Sequence, residues 1–190
     1  MPNFFSAFAS EVFRPIVTLL IPGAIGISTW FIALLWSFPD LKDLVSKNHA
    51  EAGLVLLLAM IFAGLVLEDF GARWEKRLDD QANKQTDQLH LSQWYQYLRT
   101  AFRADPTGRG YLRALVLRLK FELGTAFAMV SAALGGIWLA LVGLGWKAAM
   151  VTELVCIAFV MWSLWEACET HQLLAQTRAE LLKGIKIVGD

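Results

Sequence analysis

The sequence predicts an all-α membrane protein with four transmembrane helices. Both termini are expected in the cytoplasm, and helices 2 and 3 are expected to extend into a small cytoplasmic helical layer. Three observations lead there. Hydrophobic residues make up 56% of the 190 residues, above the roughly 45–50% of ordinary soluble domains, and the mean hydropathy is +0.48. Four stretches reach or approach the roughly 20 apolar residues needed to cross a hydrocarbon layer of about 30 Å at about 1.5 Å per helical residue. Fourteen of the 17 Lys and Arg residues fall on one side of those stretches, the distribution that marks cytoplasmic connections.

Residues 1–13 carry Phe4, Phe5, Phe8 and Val12 on one helical face ahead of Arg14, the pattern of an amphipathic helix lying in the headgroup layer. The segment lacks the basic start and small-residue cleavage site of a secretory signal, so it is expected to remain in the mature chain. Span one, 15–38, is uncharged throughout. Pro22-Gly23 interrupts it, because proline removes a backbone donor and releases the carbonyl of Thr18. A kink is expected there, and the nearby Gly26, Ser28 and Thr29 offer polar groups to a water-lined path if the spans form one.

The 39–51 loop carries Lys42 and Lys47 and is expected outside. Span two, 50–67, is short and closes at Glu68 and Asp69. Residues 68–122 form the only segment large enough for a cytoplasmic layer. Leu67, Trp74 and Leu78 prolong the helix of span two, which is expected to end around 81–88 where polar residues dominate. Leu91, Trp94, Tyr95, Leu98 and Phe102 then recur at helical spacing as an amphipathic helix. DPTGRG, from Asp105 to Gly110, has turn composition. Leu112, Leu115, Val116 and Leu119 lead from it without a breaker into span three, 123–146.

A short outer turn over 146–148 joins span four, 148–167, and residues 168–190 continue that helix as a cytoplasmic tail. Trp36 and Trp146 fall at the proposed outer face and Trp162 and Trp165 at the inner one, as an aromatic belt requires. Cys156 and Cys168 are too few and too colinear for a disulfide framework and are read as small buried apolar side chains.

The charge balance of 17 acidic and 17 basic residues gives no reason to expect a nucleic-acid partner. The spans hold no ionisable residue near the bilayer midplane, which argues against coupled transport; Glu153 lies within two turns of the outer end. No catalytic or metal-binding pattern is found, and no cofactor is expected. The patterns that remain are physical ones. Gly124, Ala128, Ala132, Gly136 and Ala140 form a small-xxx-small stripe on span three, a helix-packing face that suits span one or a second copy of the chain, with a homo-oligomer preferred.

Arg99, Arg103, Arg109 and Arg113 flank DPTGRG as candidate contacts for phosphate or anionic headgroups. Glu68, Asp69, Arg73, Arg118, Lys120, Glu122, Glu166, Glu169 and His171 converge on the inner membrane edge. Interfacial charge pairing is the expected role of that cluster, because Glu166, Glu169 and His171 lack the Glu-x-x-His spacing of bundle metal sites. The string EDFGARWEKRLDD superficially resembles the Asp-Gly-x-x-Ala-Arg motif of CDP-alcohol phosphotransferases at Asp69, Gly71, Ala72 and Arg73 only. It lacks that family's later spaced aspartates, Asp79 and Asp80 being adjacent, so membership is not assigned.

The function expected from these features is that of a non-enzymatic, oligomeric protein of the plasma (inner) membrane. Its cytoplasmic layer is expected to dock a partner protein or sense a ligand. A channel or membrane-perturbing effector gated from the cytoplasm is the first alternative, and a membrane-embedded lipid-modifying enzyme using the inner carboxylates is the second.

Overall fold

The computed structural model describes residues 16–85, 106–144 and 146–188, and nearly all of them are helical. A π-helical turn, Ile16–Leu20, opens directly into α1, Ile21–Ser37. A nine-residue helix α2, Pro39–Lys47, follows, then α3, His49–Gln85. After residue 105, α4 covers Pro106–Leu139 and closes in a second π-turn, Ala140–Leu144; α5 runs from Trp146 to Val188. Four of these helices are long and apolar enough to cross a membrane, over Thr18–Ser37, His49–Asp80, Tyr111–Gly143 and Ala149–Thr177. The expected helices over 1–13 and 91–103 lie outside the described residues.

The breaks follow from local chemistry. Pro22 cannot accept the regular carbonyl geometry one turn before it, and the helix widens into the π-turn that ends at Leu20. Pro39 forces the preceding residue out of helical space; Phe38 is extended at φ −127°, ψ 92°. That proline then starts α2, with Asp40 in its first turn and Lys47 in its last, both favourable to the helix dipole. The 39–51 connection is therefore a helix and not the loop expected from its polarity. DPTGRG also differs from expectation: α4 is already helical from Pro106, because proline is well suited to the first helical position. At the α4–α5 connection Gly143 has φ +116°, backbone that a side chain would strain.

At about 1.5 Å per residue, the 37 residues of α3 and 43 residues of α5 reach about 55 Å and about 65 Å, well beyond an apolar layer of about 30 Å. Their surplus length gathers at one end with the first turns of α4. This end carries the ion pairs of the molecule's described part and is here called the charged end.

Helix α4 is the hub, with α1, α3 and α5 packed around it. Its contact with α5 joins Leu112, Leu115, Leu119 and Leu123 of α4 to Ala167 and Leu174 and brings Gly136 against Glu153, and along α5 a seam of alternating steps of three and four residues runs through Glu153, Cys156, Val160, Ser163, Ala167, Thr170 and Leu174. That 3.5-residue repeat keeps one stripe of α5 facing α4. Cys156, Ser163, Ala167, Thr170 and Leu174 are correspondingly buried. Cys168, off the seam, is exposed, contrary to its sequence reading.

Between α1 and α3 the backbones touch. A Cβ on Gly23 would overlap the carbonyl oxygen of Met60, and one on Gly64 would overlap that of Leu19. Such contact is how helices associate where lipid already solvates large apolar side chains. The outer faces bear this out, with Phe62 at 70% and Met161 at 67% exposure.

Candidate functional site

Hydrophobic cement comes first at the charged end. Leu112, Leu115, Leu119 and Leu123 of α4 join Ala167 and Leu174 of α5 in one buried cluster, with Trp74 of α3, Val116 and Leu164 against it. Phe127 extends the same packing, with its ring 5.9 Å from Phe70 and 6.1 Å from Trp74 between centroids. Three helices are thus fixed to one another by apolar contacts before any charge is considered.

Polar links follow on the rim of this core. Lys120 Nζ donates to Glu68 Oε1 at 2.8 Å, tying α4 to α3. Arg118 bridges α4 and α5: Nε donates to Glu122 Oε1 at 2.6 Å and Nη2 to Glu166 Oε2 at 2.5 Å. His171 Nε2 lies 2.8 Å from Asp79 Oδ1, joining α5 directly to α3. Arg73 pairs with Asp69 within one helical face, and Arg73 and Arg77 lie over the rings of Phe70 and Trp74. Of the residues expected to cluster, Glu68, Arg118, Lys120, Glu122, Glu166 and His171 are thus brought together across the three helices, while Asp69 and Arg73 pair within α3. Asp79 is a member that the sequence did not single out, because only the meeting of α3 and α5 shows its partner.

Glu122, 9% exposed, is the most buried carboxylate of these pairs. One of its oxygens, Oε2, has no hydrogen-bond partner, and neither has the nearby Thr125 Oγ1. Its remaining oxygen depends on Arg118, whose side chain is half exposed at 54%. Glu169 is exposed and stands apart from these pairs. Among the described residues no group of three or more His, Cys, Asp or Glu is arranged to hold a metal.

The stripe on span three is covered by helices of its own chain. Gly124 meets the Pro22 ring, which an added Cβ would approach to 3.4 Å, and Ala128 lies beside Gly26. The carbonyl of Ala132 accepts from Thr29 Oγ1 at 2.9 Å. Gly136 faces the other way, toward Glu153 Oε1, which would stand 2.8 Å from a Cβ there; Ala140 begins the second π-turn. Two further bonds complete a ladder between α1 and α4: Ser131 Oγ donates to the carbonyl of Gly26 and Trp30 Nε1 to the carbonyl of Ser131, each at 2.9 Å.

Pro22 and Gly23 are both buried in these contacts. Ser28 donates to the carbonyl of Ile25 in its own helix. The polar groups offered for a water-lined path are thus occupied within the protein. Of the four candidate anion contacts, Arg113 is exposed on α4 and Arg109 lies in that helix's first turns. Arg99 and Arg103 lie outside the described residues.

No family model, curated protein or solved structure matches this chain.

Proposed function

We propose that this is a non-enzymatic integral membrane protein whose charged end is a helical projection on the cytoplasmic side, serving as a docking platform for a partner protein. One observation carries the reading. Three helices overrun the apolar layer at the same end and are locked together there by the Leu112–Leu174 core and its bridging ion pairs. A membrane anchor alone has no need of such a rigid extension. The excess of Lys and Arg at that end supports its cytoplasmic placement, with both termini inside; the plasma (inner) membrane is the location proposed with it.

The carboxylates that an enzyme would use are engaged in pairing with Arg118, Lys120 and Arg73, which favours scaffolding over chemistry. Self-association remains part of the reading, but on lipid-facing surfaces, since the stripe on α4 is covered within the chain. The channel alternative draws no support from span one, whose hydroxyls bond to α4 and to α1 itself.

The test is site-specific photo-crosslinking in living cells with the probe at exposed Lys76, Arg113 or Glu169. Discrete protein adducts at these positions, absent when the probe replaces lipid-facing Phe62, are expected. Adducts at none of the three would remove the docking reading.

A further inference from the structure

At the opposite end of the molecule, α1 and α2 meet at a sharp elbow. Extended Phe38 and the ring of Pro39 turn the chain, and the two helices leave between them a groove of about 400 Å³ lined by Ile32, Leu35, Trp36, Pro39 and Lys42. The groove lies where the apolar stretch Thr18–Ser37 ends, at the depth of lipid headgroups. Its wall on α1, made by Ile32, Leu35 and Trp36, is apolar. Its rim on α2 carries one cation.

Two donors at this rim are unspent. Among the described residues, neither the Lys42 ammonium nor the Trp36 indole N–H has a protein partner. Asp40 and Asp43 flank Lys42 on α2 but do not line the groove, so Lys42 is the one charged side chain in its lining, beside an apolar wall. We infer that this elbow is a phospholipid site: an acyl chain lies along Ile32 and Leu35, and Lys42 with the Trp36 N–H takes the phosphate of an anionic glycerophospholipid. A lysine at headgroup depth prefers anionic lipid by a factor of about five, the equivalent of about 1 kcal/mol, and a tryptophan at this level places its N–H among polar headgroup atoms while its ring stays in the apolar layer.

Native mass spectrometry of the full chain in mild detergent, titrated separately with phosphatidylglycerol and phosphatidylcholine, tests this. The expected result is one tightly retained phosphatidylglycerol, preferred about fivefold over phosphatidylcholine. Lys42→Met should abolish that preference, and Ile32→Trp, which fills the groove, should lower retention of both lipids. Lys147→Met, which removes the exposed lysine beside the α4–α5 connection, should change neither. Lys42 and Ile32 are both exposed, so neither variant disturbs packed core. An unchanged preference in Lys42→Met, or an equal loss in Lys147→Met, would overturn the assignment.

Discussion

At the scale of single residues, the least replaceable positions are glycines and one arginine. Gly23 and Gly64 allow α1 and α3 to touch through their backbones, so a side chain there has nowhere to go but to push the helices apart. Gly64→Ala should destabilise the protein by about 3 kcal/mol, the upper part of the usual cost of overpacking, seen as a lower midpoint in thermal unfolding in detergent. Gly53, whose Cβ would meet nothing, provides the contrast, and Gly53→Ala should be neutral or slightly favourable. Arg118 is critical for a different reason. Removing it in Arg118→Met leaves the buried Glu122 without the partner of its one satisfied oxygen, at a cost of about 2 kcal/mol. Adding Glu122→Gln should recover part of the loss in the same assay, whereas Glu166→Gln alone should cost less than 1 kcal/mol because that link is more exposed.

At the scale of elements, the four spans and the long α4 and α5 were legible because hydropathy is a local property of the chain. The small-residue stripe was legible as a packing face, since four-residue spacing by itself defines a helical side. Which helix would cover it was not, because the choice depends on three-dimensional complementarity, such as Pro22 against Gly124 or Thr29 against Ala132. The α4–α5 seam was written in the sequence as alternating steps of three and four, yet its Ser163, Thr170, Cys156 and Glu153 lack the leucine signature by which such seams are found. The short α2 was masked by its polarity, and its start was set by Pro39. The seam has a direct consequence. Ala167, 1% exposed, has no room for growth, so Ala167→Leu should cost about 2 kcal/mol and loosen the α4–α5 pair. Ala158→Leu, on the exposed face of the same helix, should leave the unfolding midpoint in place.

At the scale of the whole molecule, one helix organises three others, and the ends of the bundle differ in kind. One end is an elbow and a tight glycine turn at the level of the bilayer surface. The other is a leucine core ringed by Arg118, Lys120, Glu68, Glu166, His171 and Asp79, projecting past the apolar layer. We propose that the second end is cytoplasmic because Lys and Arg are concentrated there in the sequence, while helix geometry is the same whichever way the bundle is inserted. Everything proposed about docking depends on that orientation. It is tested by cysteine labelling in a chain carrying Cys156→Ala and Cys168→Ala, with single cysteines placed at Ser46 in α2 and Lys76 in α3, both exposed. With a membrane-impermeant maleimide, Ser46→Cys should react in intact cells and Lys76→Cys only after the membrane is opened. Labelling of Lys76→Cys in intact cells, with Ser46→Cys protected, would contradict the proposed orientation and the cytoplasmic docking platform with it.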